Sequence, residues 1–313
     1  YNICGEIMVI LNGILPVFII IAIGYFLKKK KIISEPVESF INDIAYYLIL
    51  PCMIFSSIYK VDIGNIGNYF KIGFGLYVAI ALTFVFSLIV FHRLDEKKKR
   101  SLVTTSFRTN IAYIGFPIIL NFFGTEGLAK VAIMTGFIAP FTVILSNAYL
   151  SITYKKHNIN GEDWIGVIFK DPLVITSIVS IIFSYYKIWL PQFLLNTIDL
   201  LSDMGSPIML LAVGGGLKIS SIKVDRFILG LSSFIKLILM PFFSYIIFKY
   251  VLVLNDMVDF KIAVLILGFP TALASYIVVK KYEADNVLSA SAITLSTMIS
   301  AFTISMWIFI LNY

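Results

Sequence analysis

Two stretches of this sequence place polar groups beside helix breakers within long apolar runs. The first is TNIAYIGFPIIL, Thr109 to Leu120, in which Asn110 precedes Gly115 and Pro117. The second is LGFPTALAS, Leu267 to Ser275, in which Gly268 and Pro270 precede Thr271. A proline inside a helix removes a backbone donor and crowds the preceding turn, and a glycine lets the chain bend there. In hydrocarbon the freed amides and carbonyls must find partners in protein, in a water-filled cavity or in a bound molecule. The N-terminal ends of half-helices carry partial positive charge. Two such ends, with Thr109, Asn110, Thr271 and Ser275 as polar partners, would make a site suited to an anion.

Two charged residues inside apolar segments add to this set. Lys236 falls mid-way along RFILGLSSFIKLILMPFF. A lysine at a helix centre costs roughly 2.5–3.5 kcal/mol on insertion scales, so it must face a partner or water. It reads as a counter-charge for an anionic substrate, a group that mimics a bound cation, or a structural or snorkelling side chain. Asp203, in LLSDMGSP, is a candidate partner or coupling-ion ligand, and equally an interfacial residue.

The elements that must carry these residues are membrane helices. Of the residues 59% are hydrophobic and 14% charged, and the mean hydropathy is +0.93; soluble domains carry about 25% charged residues. Alternating strand patterns are lacking, so the expected fold is an all-α polytopic membrane protein. Hydropathy divides the chain into about ten spans, near 7–27, 39–59, 70–92, 102–124, 128–154, 165–186, 192–217, 226–249, 261–281 and 286–312. The first, which runs into Lys28–Lys31 with no cleavage motif ahead of it, is read as a retained span. Lys and Arg concentrate in alternate connections, among them Lys28–Lys31, Arg93 to Arg108 and Lys280–Lys281. By the positive-inside rule those connections are cytoplasmic and both termini lie outside the cytoplasm. The basic loops, and the net charge of +7, are therefore assigned to topology, with membrane lipid and not nucleic acid as the neighbour.

The chain also reads as two copies of one pattern. Pro16 and Pro172 are 156 residues apart, as are Pro51 and Pro207, and the two Gly-Phe-Pro triplets, ending at Pro117 and Pro270, are 153 apart. Five spans per copy would insert the second upside down, an inverted repeat of the kind found in secondary transporters. The expected organisation is a first repeat over 1–154, a cytoplasmic linker over 155–164 and a second repeat over 165–313, with spans 4 and 9 broken where they cross. Cys4 and Cys52 are too far apart in sequence to suggest a disulfide framework. His92 and His157 sit in polar loops without metal-ligand spacing. Gly214–Gly216 lacks the Lys-Ser/Thr of a phosphate loop and suits close helix packing or a local break instead. HExxH, GxSxG and Walker A patterns are absent from the sequence, so an enzyme is not expected and ATP is not the direct energy source.

With these residues in place, the chain resembles the auxin efflux carrier family, which includes plant carriers and many bacterial permeases. The resemblance rests on Asn110, Gly115 and Pro117 in the fourth span, PTALASYIVVKKY (Pro270–Tyr282) in the ninth, LLSDMGSPIMLLAVGGGL in the seventh and LNGILPVFIIIAIGY in the first. It implies ten helices in two inverted halves, a design shared with NhaA-type antiporters and bile-acid symporters. Spans 1, 2, 6 and 7 would be the scaffold of a homodimer, and spans 3–5 and 8–10 a mobile transport domain. It further implies a substrate held at the crossing by Asn110, with Pro117 and Pro270 marking the crossover, and an elevator-type motion. Leu173 follows Pro172 where plant carriers have Asn, and the long central loop of plant members is missing. Small mono- or dicarboxylates are therefore favoured over auxin. The expected function is secondary transport of a small organic anion across the cytoplasmic membrane without a resident cofactor, driven by membrane potential or by coupled H+ or Na+. The alternatives are a sodium-coupled symporter of the bile-acid type and a sensor that binds without translocating.

Overall fold

The computed structural model describes residues 3–61, 66–154, 171–219 and 225–311. The expected linker 155–164, with Lys155, Lys156 and His157, lies outside them, as does the beginning of the sixth span. Every regular element among the described residues is a helix. In chain order they are α1 (Ile3–Lys29), α2 (Glu35–Tyr59), α3 (Ile66–Val90), α4 (Glu96–Phe107), α5 (Ile111–Thr153), α6 (Pro172–Tyr185), α7 (Gln192–Gly216), α8 (Arg226–Val251), α9 (Met257–Gly268), α10 (Ala274–Lys281) and α11 (Asn286–Ile310). Seven of them (α1, α2, α3, α5, α7, α8 and α11) are long and apolar enough to cross a membrane.

The difference from the expected ten spans has a local cause in each case. The fourth and fifth spans run together in α5 but part at Gly124, as expected, where φ of +64° and ψ of −160° are not helical, a conformation open to glycine at little cost. The sixth, as described, is the short apolar helix α6. The ninth is divided between α9 and α10. Aspartates fix where four of these helices begin. Asp95, Asp171, Asp256 and Asp285 each accept hydrogen bonds from backbone N–H groups in the first turn of α4, α6, α9 and α11, satisfying donors that a helix start leaves open.

Three prolines within long helices follow one rule. Pro51, Pro117 and Pro241 each come two residues after a π turn, at Ala45–Ile49, Ile111–Gly115 and Ile235–Leu239. The residue before each proline donates five residues back, Leu50 to Ala45, Phe116 to Ile111 and Met240 to Ile235. A wider turn ahead of each proline gives the ring room inside the preceding turn. Pro117 therefore does not break its helix: the interruption of the fourth span lies upstream, at Arg108–Asn110. The spacing of Pro16 and Pro172 is likewise not matched in local structure, since Pro16 lies inside α1 and Pro172 opens α6.

Packing follows a reciprocal scheme. Helix α1 packs along the second half of α7, and α2 packs on α6 and on the first half of α7. Helix α3 lies against α4, α5 and α8; α8 lies against α9 and α11; α5 meets α9, and α4 meets α11. The α1–α7 contact is backbone on backbone. A Cβ on Gly214 would stand 2.0 Å from the Ile21 carbonyl oxygen, and one on Gly24 would stand 2.3 Å from that of Leu211. Small residues let membrane helices approach in this way, as expected for the glycine run.

Candidate functional site

The two interrupted helices meet at their interruptions. Between α4 and α5 the three residues Arg108–Asn110 are not helical, and between α9 and α10 the chain leaves the helix over Phe269–Leu273. Thr109 and Thr271 pair there as an isolated antiparallel bridge. The Asn110 amide donates to the Pro270 carbonyl at 2.8 Å, and the Ala272 amide to the Arg108 carbonyl at 3.2 Å. Each threonine also closes the end of the opposite helix. Thr109 Oγ1 donates to the Ile266 carbonyl at 2.9 Å in the last turn of α9, and Thr271 Oγ1 to the Thr105 carbonyl at 2.9 Å in the last turn of α4. The last carbonyls of a helix have no intrahelical donor, so these hydroxyls and amides supply what breaking two buried helices removes. The Thr271 amide in turn donates to Ser296 Oγ on α11 at 3.3 Å.

Beside this crossing is a cavity of about 180 Å³. Its lining includes Arg108, Asn110 and Tyr113 from the first interruption, Ala272–Ala274 from the second, Thr142 from α5, Tyr46 from α2 and Asp171 at the head of α6. Arg108 and Asn110 are 8% and 5% exposed. One terminal guanidinium nitrogen of Arg108 donates to Ser146 Oγ at 2.7 Å, while its Nε has no hydrogen-bond partner among the described residues. Asn110 Oδ1 accepts from the Tyr113 amide at 3.4 Å and so caps α5, while its Nδ2 has no partner among the described residues. No ion pair among the described residues includes Arg108. Buried polar groups are nearly always hydrogen-bonded, so two orphaned donors, one of them on a cation, leave the Arg108–Asn110 wall of this cavity short of acceptors. In the same lining the Tyr46 hydroxyl donates to Asp171 Oδ2 at 2.6 Å.

The sequence-predicted residues are distributed unevenly around this site. Asn110 lines the cavity. Thr271 and Pro270 form the bridge behind it. Gly115 packs against the Phe269 ring, where a Cβ would come within 2.7 Å, so one Gly-Phe-Pro triplet touches the other. Pro117 is buried further along α5, and Gly268 ends α9. Ser275 is buried in α10 with its hydroxyl unpartnered among the described residues. Lys236 is fully buried in α8, and its Nζ donates to the Leu267 carbonyl at 2.7 Å, away from the cavity lining. Asp203 is exposed at the end of the first arm of α7 and is also absent from that lining.

Arg108 is the residue that sequence reasoning misplaced. It had been grouped with the basic loop of Arg93–Arg100, whereas α4 carries it a full helix away from that loop and into the protein. Its one signal was adjacency to Thr109–Asn110. Tyr46 and Asp171 were missed because each comes from a different part of the chain.

Interrupted helices paired inside an apolar helical bundle, beside a small polar cavity, define a multi-pass membrane protein of the transporter type. The chain belongs to the family described as membrane transport protein, the auxin efflux carrier family, whose model it matches over residues 9–308. It is 26% identical to an uncharacterized transporter of Methanocaldococcus jannaschii, over 97% of this chain and 99% of that one. It is 24% identical to an uncharacterized transporter of Methanothermobacter thermautotrophicus, over 94% and 96% of the two chains.

Proposed function

We propose that this protein is a secondary transporter of a small organic anion, which binds in the cavity beside the crossing against Arg108 and Asn110. The observation that carries this reading is that Arg108 and Asn110, each with an unpartnered buried donor (Arg108 Nε and Asn110 Nδ2), line one cavity. A carboxylate brings the acceptors both lack. A hydrogen bond between charged groups is worth roughly 1.5–3 kcal/mol, and the planar guanidinium suits carboxylate geometry. The cavity volume of about 180 Å³ favours a mono- or dicarboxylate of few carbons.

The reciprocal packing supports a division into two related halves of five crossings each. The α1–α7 contact has its counterpart in α2–α6, α3–α4 in α8–α9, and α5–α9 in α4–α11. In this reading α1, α2, α6 and α7 are the scaffold, and the other helices form the moving body that carries the crossing. Tyr46 and Asp171 then belong to the scaffold wall, so the cavity lies between the two bodies, where an elevator-type displacement would expose it to each face in turn. The site of action is the cytoplasmic membrane, with the basic connections inside; removing Arg108 from those connections leaves their excess intact.

The test is charge movement in proteoliposomes on addition of a panel of short carboxylates, with and without Na+ and a pH gradient. A current for some acids that is lost in Arg108→Gln supports anion transport through this cavity. A current that survives in Arg108→Gln places the path elsewhere, and binding without flux identifies a sensor.

A further inference from the structure

The fully buried lysine of α8 has no role in the cavity, and its surroundings are unusual for an ammonium. Lys236 lies in the π turn Ile235–Leu239 with no exposed surface. Its Nζ donates to the Leu267 carbonyl at 2.7 Å and lies 3.3 Å from Met240 Sδ. None of the ion pairs among the described residues includes it. A buried ammonium without a carboxylate is costly, so something else must supply negative potential.

That source is the end of α9. Leu267 is the residue before Gly268, where α9 stops. The last carbonyls of a helix lack intrahelical donors and together carry roughly half a negative charge. The interruption keeps this end inside the protein, where water does not screen it. Thr109 Oγ1 takes the neighbouring Ile266 carbonyl from one side, and Lys236 takes Leu267 from the other. The end of α4 is closed differently: the hydroxyl of Thr271 meets Thr105 there. In transporters with interrupted helices, unwound carbonyls and half-helix C-termini are where coupling Na+ is held.

We propose that Lys236 is a tethered substitute for a coupling cation. Its ammonium sits at the end of α9 and holds the crossing in order permanently, so that no alkali ion is needed to assemble the site. The consequence for transport, independence from Na+, rests on the transporter reading above. The cation site itself does not, because it is a property of the folded protein without substrate.

The experiment is thermal unfolding of the purified full chain in NaCl, LiCl, methylammonium chloride and choline chloride at equal ionic strength, for the wild type, Lys236→Ala and Lys236→Met. The wild type is expected to melt at one temperature in all four salts. Lys236→Ala should melt several degrees lower in choline and recover at least half of that loss in Na+, Li+ or methylammonium. Lys236→Met, which fills the space with an apolar chain, should be destabilised and unresponsive to salt. A Lys236→Ala protein that can be purified only with a small cation present supports the proposal equally. A Lys236→Met protein as stable as the wild type, a Lys236→Ala protein indifferent to cations or unrecoverable in every salt, or a wild type stabilised by Na+ over choline would each overturn it.

Discussion

Thr109 and Thr271 cap each other's helices across the crossing. The hydroxyl of each closes the last turn of the helix that precedes the other, at Ile266 and Thr105, while their backbones pair as a bridge. The arrangement explains how two helices can be broken in the interior without leaving their ends unpaired. It also places the amide start of α5 and the turn entering α10 beside one cavity.

Replacing either threonine by valine keeps its shape and removes the hydroxyl. Each of Thr109→Val and Thr271→Val should cost about 1–3 kcal/mol, the penalty for a buried carbonyl left without a donor. The double variant should depart from the sum of the singles, because the same bridge supports both. Thermal unfolding of the four proteins measures this; independent effects near zero would mean that the hydroxyls are incidental to the crossing.

Asn110 has two separable roles, and paired substitutions divide them. Asn110→Asp keeps the acceptor that caps α5 and exchanges the orphaned donor for a carboxylate oxygen beside the cavity. It should leave the fold near wild-type stability and abolish anion binding. Asn110→Ala loses the cap as well, at about 1 kcal/mol, and should weaken binding by less than the aspartate does. Equilibrium binding of the acid found in the flux screen, with a melting curve for each variant, checks both; tighter binding in Asn110→Asp would instead indicate a cationic substrate.

The α1–α7 crossing gives a contrast between adjacent glycines. A Cβ at Gly214 would meet the backbone of α1 at 2.0 Å, whereas one at Gly215 meets nothing within 4 Å. Gly214→Ala must push the helices apart and should cost about 1–3 kcal/mol or more. Gly215→Ala should be neutral or stabilising by up to about 1 kcal/mol, given the better helix propensity of alanine. Similar melting temperatures for the two variants would contradict the close approach.

Acid should loosen the connection ahead of α9. Lys130 Nζ reaches Asp256 Oδ2 at 2.6 Å and Asp259 Oδ1 at 2.9 Å. Burial pushes the Asp256 carboxyl up, but the hydrogen bonds from Lys130 and from the Asp259 and Val258 amides outweigh it and hold the carboxyl below its ordinary value of 3.8. A group depressed on folding stabilises the protein above its unfolded value and loses that contribution as pH falls through the folded one. The contribution of Asp256 to stability should thus be constant from neutral pH down to about pH 5, begin to fall as pH approaches 3.8, and vanish only below the folded value. Melting curves of the wild type and Asp256→Asn should converge at the acid end; a constant gap at every pH would remove Asp256 from the linkage.

What the sequence determined by itself was whatever depends on composition and on neighbours along the chain. Apolar run length and charge content established a helical membrane protein, the breakers flagged the fourth and ninth spans, and the glycine run marked a close helix contact. Asn110 was legible as a candidate, and it does line the cavity, because it combines a polar amide with a nearby interruption in an apolar run. The tertiary structure decided where the interruption falls and what faces it. Pro117 and Pro270 look equivalent in sequence, yet a π turn absorbs the first within α5, and pairing with Asn110 fixes the second at the break. A proline only removes a donor; whether the helix then widens or breaks depends on which distant groups can satisfy the freed carbonyls, here Thr109 and Lys236 for α9 and Thr271 for α4. Arg108 looked like a loop cation until the length of α4 carried it into the interior, and Tyr46 and Asp171 became its neighbours only when helices far apart in the chain packed together. Local propensity cannot encode such a cavity, because its walls come from five separate segments whose side chains meet only after the bundle is assembled.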